Sequence, residues 1–226
     1  MEELKAELKA ELKAETEEEP AEQGIITDKL KIKDYFEEDY DEKYWNGWEY
    51  DLRLGSEYYV TTEDLPKQLT EKDPYVLIKP GDFALLITKE KLKMPMDVMA
   101  FISIKFTYKQ KGLINISGFH VDPGYRGKII FSVYNAGPND IILRRDDDVF
   151  MVFFQGIGDK LKEEPSKISY DKIPVKMISA IQGKSVSLAT NAARIDKLEH
   201  YIKLYGGIAL SLLLLILGIV IRYYLL

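Results

Sequence analysis

Between Lys203 and Arg222 the chain runs for eighteen residues without a charge, Leu204 to Ile221, LYGGIALSLLLLILGIVI. As a helix rising about 1.5 Å per residue, the run is roughly 27 Å long. That is close to the roughly 30 Å hydrocarbon core of a bilayer. Ser211 is its one small polar residue, and Tyr201, Tyr205, Tyr223 and Tyr224 flank it as interfacial anchors do. The run predicts a transmembrane helix over 204–221. Four residues follow Arg222, so the expected form is a tail anchor with everything before it on one side. Arg194, Lys197 and Lys203 precede the span and Arg222 follows it, a balance that favours a cytoplasmic head.

The helical pattern begins before the span. Leu188, Ile195, Ile202, Ala209, Ile216 and Tyr223 are spaced by seven, with Asn191, Leu198, Tyr205, Leu212 and Ile219 in the second heptad position. This is the seam of a left-handed coiled coil, and it predicts parallel self-association from 187–203 into the membrane segment. At the other end, residues 1–23 form a charged helix or tail. It repeats Glu-Leu-Lys-Ala, places Leu4, Leu8 and Leu12 on one stripe, and stops at Pro20.

Composition narrows the function classes. The formal charge is −6, which argues against a nucleic-acid backbone as partner. With no cysteine there are no disulfides, no thiolate metal ligands and no Cys nucleophile. His120 and His200 are the only histidines, too few for a His-based zinc site. No basic-then-apolar signal sequence opens the chain.

Residues 24–160 read as one mainly β domain. Short apolar runs bounded by Pro, Gly and Asp predict strands at 52–54, 58–61, 75–78, 83–88, 98–106, 113–119, 128–134, 141–143 and 149–155. A helix or turn is expected at 28–36. Many short strands at this spacing indicate a sandwich or barrel. Residues 161–186 read as a polar connector, with a strand or arm at 168–178 that packs on the domain or on a neighbouring subunit.

Within the domain, Gly118 to Asn135 reads GFHVDPGYRGKIIFSVYN: a tight Asp-Pro-Gly turn bearing one carboxylate, then a strand. This stretch resembles the nucleotide-binding turn and following strand of the dUTPase and dCTP deaminase superfamily. Three further segments resemble that family in the same order. They are GIITDKLKIKDYF (24–36), YDLRLGSEYYV (50–60) and KPGDFALLITKEKLKMP (79–95). The resemblance implies a dUTPase-like β-barrel or jelly-roll head, a homotrimer, and sites at subunit junctions. It places Asp122 over the deoxyribose or the attacking water.

Three other places carry activity in that family, and here they differ. The Arg-Ser-Ser-x-x-Arg loop reads Lys105-Phe106-Thr107-Tyr108-Lys109-Gln110, which keeps a charge and a hydroxyl but loses the guanidinium fork. Ser132 stands where deaminases have the Glu that shuttles protons, and a hydroxyl cannot do that near neutral pH without a base beside it. Asp146 and Met151 replace the Gly and Gln of the last turn, and Asp146, Asp147 and Asp148 would oppose a triphosphate unless Mg²⁺ lay between.

The sequence therefore favours a membrane-anchored, non-catalytic trimeric head that binds a deoxynucleotide or a protein partner. A tethered dUTP or dCTP hydrolase or deaminase is the alternative, with dUTP hydrolysis favoured over dCTP deamination because the resembled dUTPases also carry Ser at the Ser132 position. Lys105, Thr107, Asp122 and Tyr125 are the candidate nucleotide contacts, with Asp122 as a vestigial catalytic group. No resident metal or cofactor is expected, and Mg²⁺ would come only with a bound triphosphate. Arg126 is read as a partner for an acid of a neighbouring subunit.

Overall fold

The structure is a computed structural model that describes residues 23–158, 169–181 and 188–225. The N-terminal Glu-Leu-Lys-Ala repeats lie outside the described residues. In chain order the elements are β1 (Gln23–Ile25), α1 (Lys29–Asp34), β2 (Phe36–Glu38), β3 (Tyr50–Val60), β4 (Lys67–Gln68), β5 (Tyr75–Ile78), β6 (Phe83–Lys93) and β7 (Val98–Ile104). They continue with α2 (Phe106–Lys109), β8 (Leu113–Asn115), β9 (His120–Val121), β10 (Arg126–Asn135), β11 (Ile141–Arg144), β12 (Asp148–Ile157), α3 (Val175–Ile181) and α4 (Leu188–Leu225). One sheet curls through the order β8-β10-β6-β3-β12-β7-β9, with β1 on β12, β2 on β6 and β4 on β3. β5 and β11 form a separate pair. The expected mainly β head followed by a long apolar helix is what forms.

Alternation explains the curl. Ile129, Phe131 and Val133 of β10, Val98, Ala100, Ile102 and Ile104 of β7, and Val152 and Phe154 of β12 point into one core, while their neighbours are less buried. Phe131 stacks on Phe150 at 4.0 Å between ring centres, joining the two sides of the curl. On the outer face of β12 and β7, Trp48, Phe153, Phe101 and Phe119 form a row with neighbouring ring centres 5.5–6.1 Å apart.

β3 and β6 break the alternation. Asp51 to Leu54 and Ala84 to Thr88 are buried on both faces. At this seam Arg53 Nε donates to Glu90 Oε1 at 2.6 Å and the Arg53 backbone N–H donates to Glu90 Oε2 at 2.8 Å. Glu90 is fully buried and the Arg53 side chain is 8% exposed. Arg53 also bonds the Asp39 carbonyl and lies 4.7 Å from the centre of the Tyr44 ring. Burial pushes the Glu90 carboxyl up, and the Arg53 bonds only partly oppose this. Gly55 lets the strands close here, since a Cβ at that position would lie 2.7 Å from the Thr88 carbonyl oxygen.

On the outer side, Tyr59, Leu85 and Ile87 are covered by Ile173 and Ile178, with Ile130, Met177 and Ile181 alongside. Residues 169–181 thus lie as a strap over β10, β6 and β3. The segment expected as a strand or arm at 168–178 ends in a helix from Val175, because Pro174 suits a first helical turn better than a strand.

Other boundaries also moved. The strands expected at 52–54 and 58–61 are one strand, bulged where the register shifts between Leu54 and Tyr58. The strand expected at 98–106 stops at Ile104, and Lys105 opens α2. The strand expected at 113–119 stops at Asn115, and a turn in which Asn115 Oδ1 accepts from the Ser117 N–H and Oγ separates it from β9, which begins only at His120. The acid that Arg126 meets within the chain is Glu37, in a two-pronged bond at 2.7 and 2.6 Å. β2, which carries Glu37, was not foreseen.

α4 runs unbroken for 38 residues, about 57 Å at the usual rise. Its stretch Arg194–Tyr224 is long and apolar enough to cross a bilayer and makes no buried contact within the chain. Ser211 Oγ donates to the Gly207 carbonyl at 2.9 Å, so the hydroxyl is satisfied inside the helix.

Glu90→Ala should destabilise the head by about 3–5 kcal/mol, because Arg53 would be left buried and unpaired. Arg53→Met/Glu90→Leu should recover most of that loss, since apolar replacements of a buried pair are often neutral. Urea unfolding of the three proteins measures both. A cost below about 1 kcal/mol for Glu90→Ala would show that the pair does not hold the seam.

Candidate functional site

The four candidate nucleotide contacts fall into two groups. The first lies where β7 ends. The Lys105 backbone N–H bonds the Val149 carbonyl at 2.9 Å, which fixes Lys105 beside β12. Its ammonium donates to Asp51 Oδ2 at 2.7 Å and to Asp148 Oδ2 at 2.6 Å. Burial pulls the Lys105 ammonium down, but the bonds to Asp148 and Asp51 outweigh it and hold its pKa above the ordinary lysine value. Asn46 also donates to Asp51 Oδ2, at 3.1 Å, while Asp51 Oδ1 and Glu49 Oε2 are buried without a hydrogen-bond partner. Burial, then the charge of Asp51, pushes the Glu49 carboxyl up. Thr107 is exposed on α2, and Lys109 donates to Ser103 Oγ at 2.6 Å.

The acidic turn is likewise occupied by its own chain. Asp146 accepts from Lys89 at 2.6 Å, Asp147 accepts from the Arg144 N–H at 3.2 Å, and Asp148 takes Lys105. Asp146 has φ +70°, the left-handed conformation for which glycine is the default. Among the described residues no three His, Asp or Glu side chains are placed to hold a metal ion. The three carboxylates point at different cations and amides of the chain.

The second group lies at the β9–β10 turn. The Tyr125 backbone N–H bonds the Asp122 carbonyl at 3.2 Å, closing the Asp-Pro-Gly turn. The Asp122 carboxylate stays exposed, with Oδ1 3.3 Å from His120 Nε2. Tyr125 donates its hydroxyl to the Lys128 carbonyl at 2.5 Å, and burial pushes its phenol up. A cleft of about 160 Å³ opens here, lined by Ser117, His120, Asp122 and Tyr125, and by Tyr170 and Met177 of the strap. Its walls are mostly apolar, with Ile102 and Ile129 at the base.

The two groups do not meet within the chain. Ala100 of β7 pairs with Val121, so Asp122 sits beside the start of β7 while Lys105 follows its end. Six residues of strand place them roughly 15–20 Å apart. Ser132 pairs with Leu85 and is not itself in the cleft lining, although its carbonyl accepts from the N–H of Ser117, which is.

Sequence reasoning passed over Asp51, His120, Tyr170 and Met177. Asp51 lies inside the resembling segment 50–60, to which the resemblance assigns no site role, although it alternates with Arg53 on one strand. His120, two residues before Asp122 in an extended segment, was weighed only as a zinc ligand.

The family model described as dCTP deaminase-like matches residues 22–157. A dCTP deaminase of Thermococcus sibiricus is 30% identical over 146 residues, covering 65% of this chain and 88% of the relative. One of Pyrobaculum arsenaticum is 36% identical over 133 residues, covering 54% of this chain and 72% of the relative. The crystal structure of 2'-deoxycytidine 5'-triphosphate deaminase from Agrobacterium tumefaciens superposes with a TM-score of 0.50 at 17% identity. That match covers 59% of this chain and about half, 49%, of the other, and it bears on fold alone. The matched segment holds every strand of the curled sheet, the DLRLG seam and the Asp-Pro-Gly turn, and the chain belongs to the dCTP deaminase-like family.

Proposed function

We propose that the chain is a membrane-anchored, non-catalytic head of this family that self-associates, as a trimer, and presents a partner- or deoxynucleotide-binding surface. The observation that carries the reading is the state of Lys105. In the resembled enzymes a guanidinium at this position meets the substrate. Here the ammonium is held between Asp51 and Asp148. A triphosphate would have to displace two carboxylates from the cation meant to bind it. Ser132 supplies no proton shuttle, and Gln110 no positive charge. General acid–base assistance is worth about 10²–10⁴-fold, and each aligned electrostatic donor about 10²–10³-fold.

The relatives named dCTP deaminase support the other reading, a tethered enzyme, and Asp122 and Tyr125 share one cleft as that reading needs. Purified full chain assayed with dCTP and dUTP, with and without Mg²⁺, should show only background turnover. Turnover near 1 s⁻¹, abolished by Asp122→Asn, would overturn the non-catalytic reading.

The anchor and the assembly support each other. The apolar run lies in the stretch Arg194–Tyr224, which buries nothing within the chain, and the heptad seam continues through it. The full chain should float with membranes and, in detergent, have the mass of three copies. Removing 204–226 should release it to the soluble fraction. Unchanged flotation would remove the anchor, and a monomer at micromolar concentration would remove the trimer.

A further inference from the structure

The strap contacts the sheet in two ways. Ile173 and Ile178 enter the apolar patch of Tyr59, Leu85 and Ile87. Around them are polar fasteners. Lys128 N–H donates to the Tyr170 carbonyl at 2.7 Å, Ile173 N–H donates to Glu57 Oε2 at 2.7 Å, and Lys91 pairs with Asp171 at 3.0 Å. Gly127 makes room for this approach, because a Cβ there would lie 2.8 Å from the Tyr170 nitrogen and 3.0 Å from Ser169 Oγ. The strap lies beyond residue 157, where the family match ends, yet its Tyr170 and Met177 build one wall of the Asp122 cleft.

The same segment stands between head and anchor. From Ile181 to Leu188 the chain has six intervening residues, which reach at most about 25 Å. With the strap detached, the free chain would run from Gly158 to Leu188, twenty-nine intervening residues with a limit of roughly 100 Å. We propose that residues 169–181 are a latch: docked, they hold the head on a short leash and complete the cleft; released, they lengthen the leash and open the cleft on that side. The proposal rests on the anchor reading for the leash and on the contacts alone for the cleft. Its two positions are linked, so whatever fills the cleft against Met177 holds the head near the bilayer, and whatever pulls the strap away empties the cleft.

Ile178→Asp tests it, since the change lies on the strap and puts an unpaired charge against the apolar patch. Hydrogen exchange of the full chain in detergent should show the Lys128 and Ile173 amides exchanging at least tenfold faster in the variant, with Phe131 and Phe150 unchanged. In lipid nanodiscs, small-angle scattering should show the particle's maximum dimension growing by tens of ångströms, following the longer tether. Glu57→Gln, which weakens one fastener and leaves the patch intact, should move the same two amides in the same direction by a smaller factor. Amides of Lys128 and Ile173 that exchange as fast as an unfolded peptide in the native chain, or that neither variant moves, would overturn the latch. Faster exchange with no change in particle size would overturn the leash. Failure of the chain to enter nanodiscs would count against the anchor, and the exchange in detergent would still decide the strap.

Discussion

The buried pair of Arg53 and Glu90 is the constraint on which the rest of the head depends. Two central strands can be covered on both faces only if the polar groups between them are satisfied. Arg53 does this by bonding Glu90 through side chain and backbone while its far end reaches Asp39 and Tyr44. The consequences spread along β3 and β6. Gly55 is needed where the strands close, Thr88 bonds the Ile129 N–H at the irregular step of β10, and Asp51 is carried two residues along to meet Lys105. The site is thus positioned by the same strand that bears the structural charge.

What was legible in the sequence was local. The apolar run, the Asp-Pro-Gly turn, and the strands with clean alternation were all read from spacing, and the four resembling segments set the architecture. The strands at the centre of the sheet were harder, since burial on both faces erases alternation: β3 read as two short runs and β6 ended five residues early. The site was least legible. Lys105 finds its partners 54 and 43 residues away, and Arg126 finds Glu37 at a separation of 89. Nothing in the pattern of a single chain announces which acid a lysine will meet. The strap was half read, because its isoleucines are too widely spaced to declare strand or helix and only the sheet beneath shows which of them matter.

The altered motifs share one physical theme. Positions that the resemblance assigns to triphosphate binding are paired with charges and amides of the chain itself. Asp148 takes Lys105, Asp146 takes Lys89, and Asp147 caps its own turn. Asp146 even keeps the left-handed backbone of a glycine position, so the path of the turn survives while its chemistry is replaced. The Asp122 turn presents an exposed carboxylate beside the cleft.

Both tryptophans, Trp45 and Trp48, fall in the short loop that leads into β3, between the Tyr50 bridge and the Asn46 bond to Asp51. Trp48 is half exposed and leans on Phe153, at the edge of the outer aromatic row. The indole emission of this chain therefore comes from one place, the rim beside Lys105 and Asp51. With no other tryptophan to dilute the signal and no cysteine nearby to quench it, the native protein carries its own optical probe of that rim.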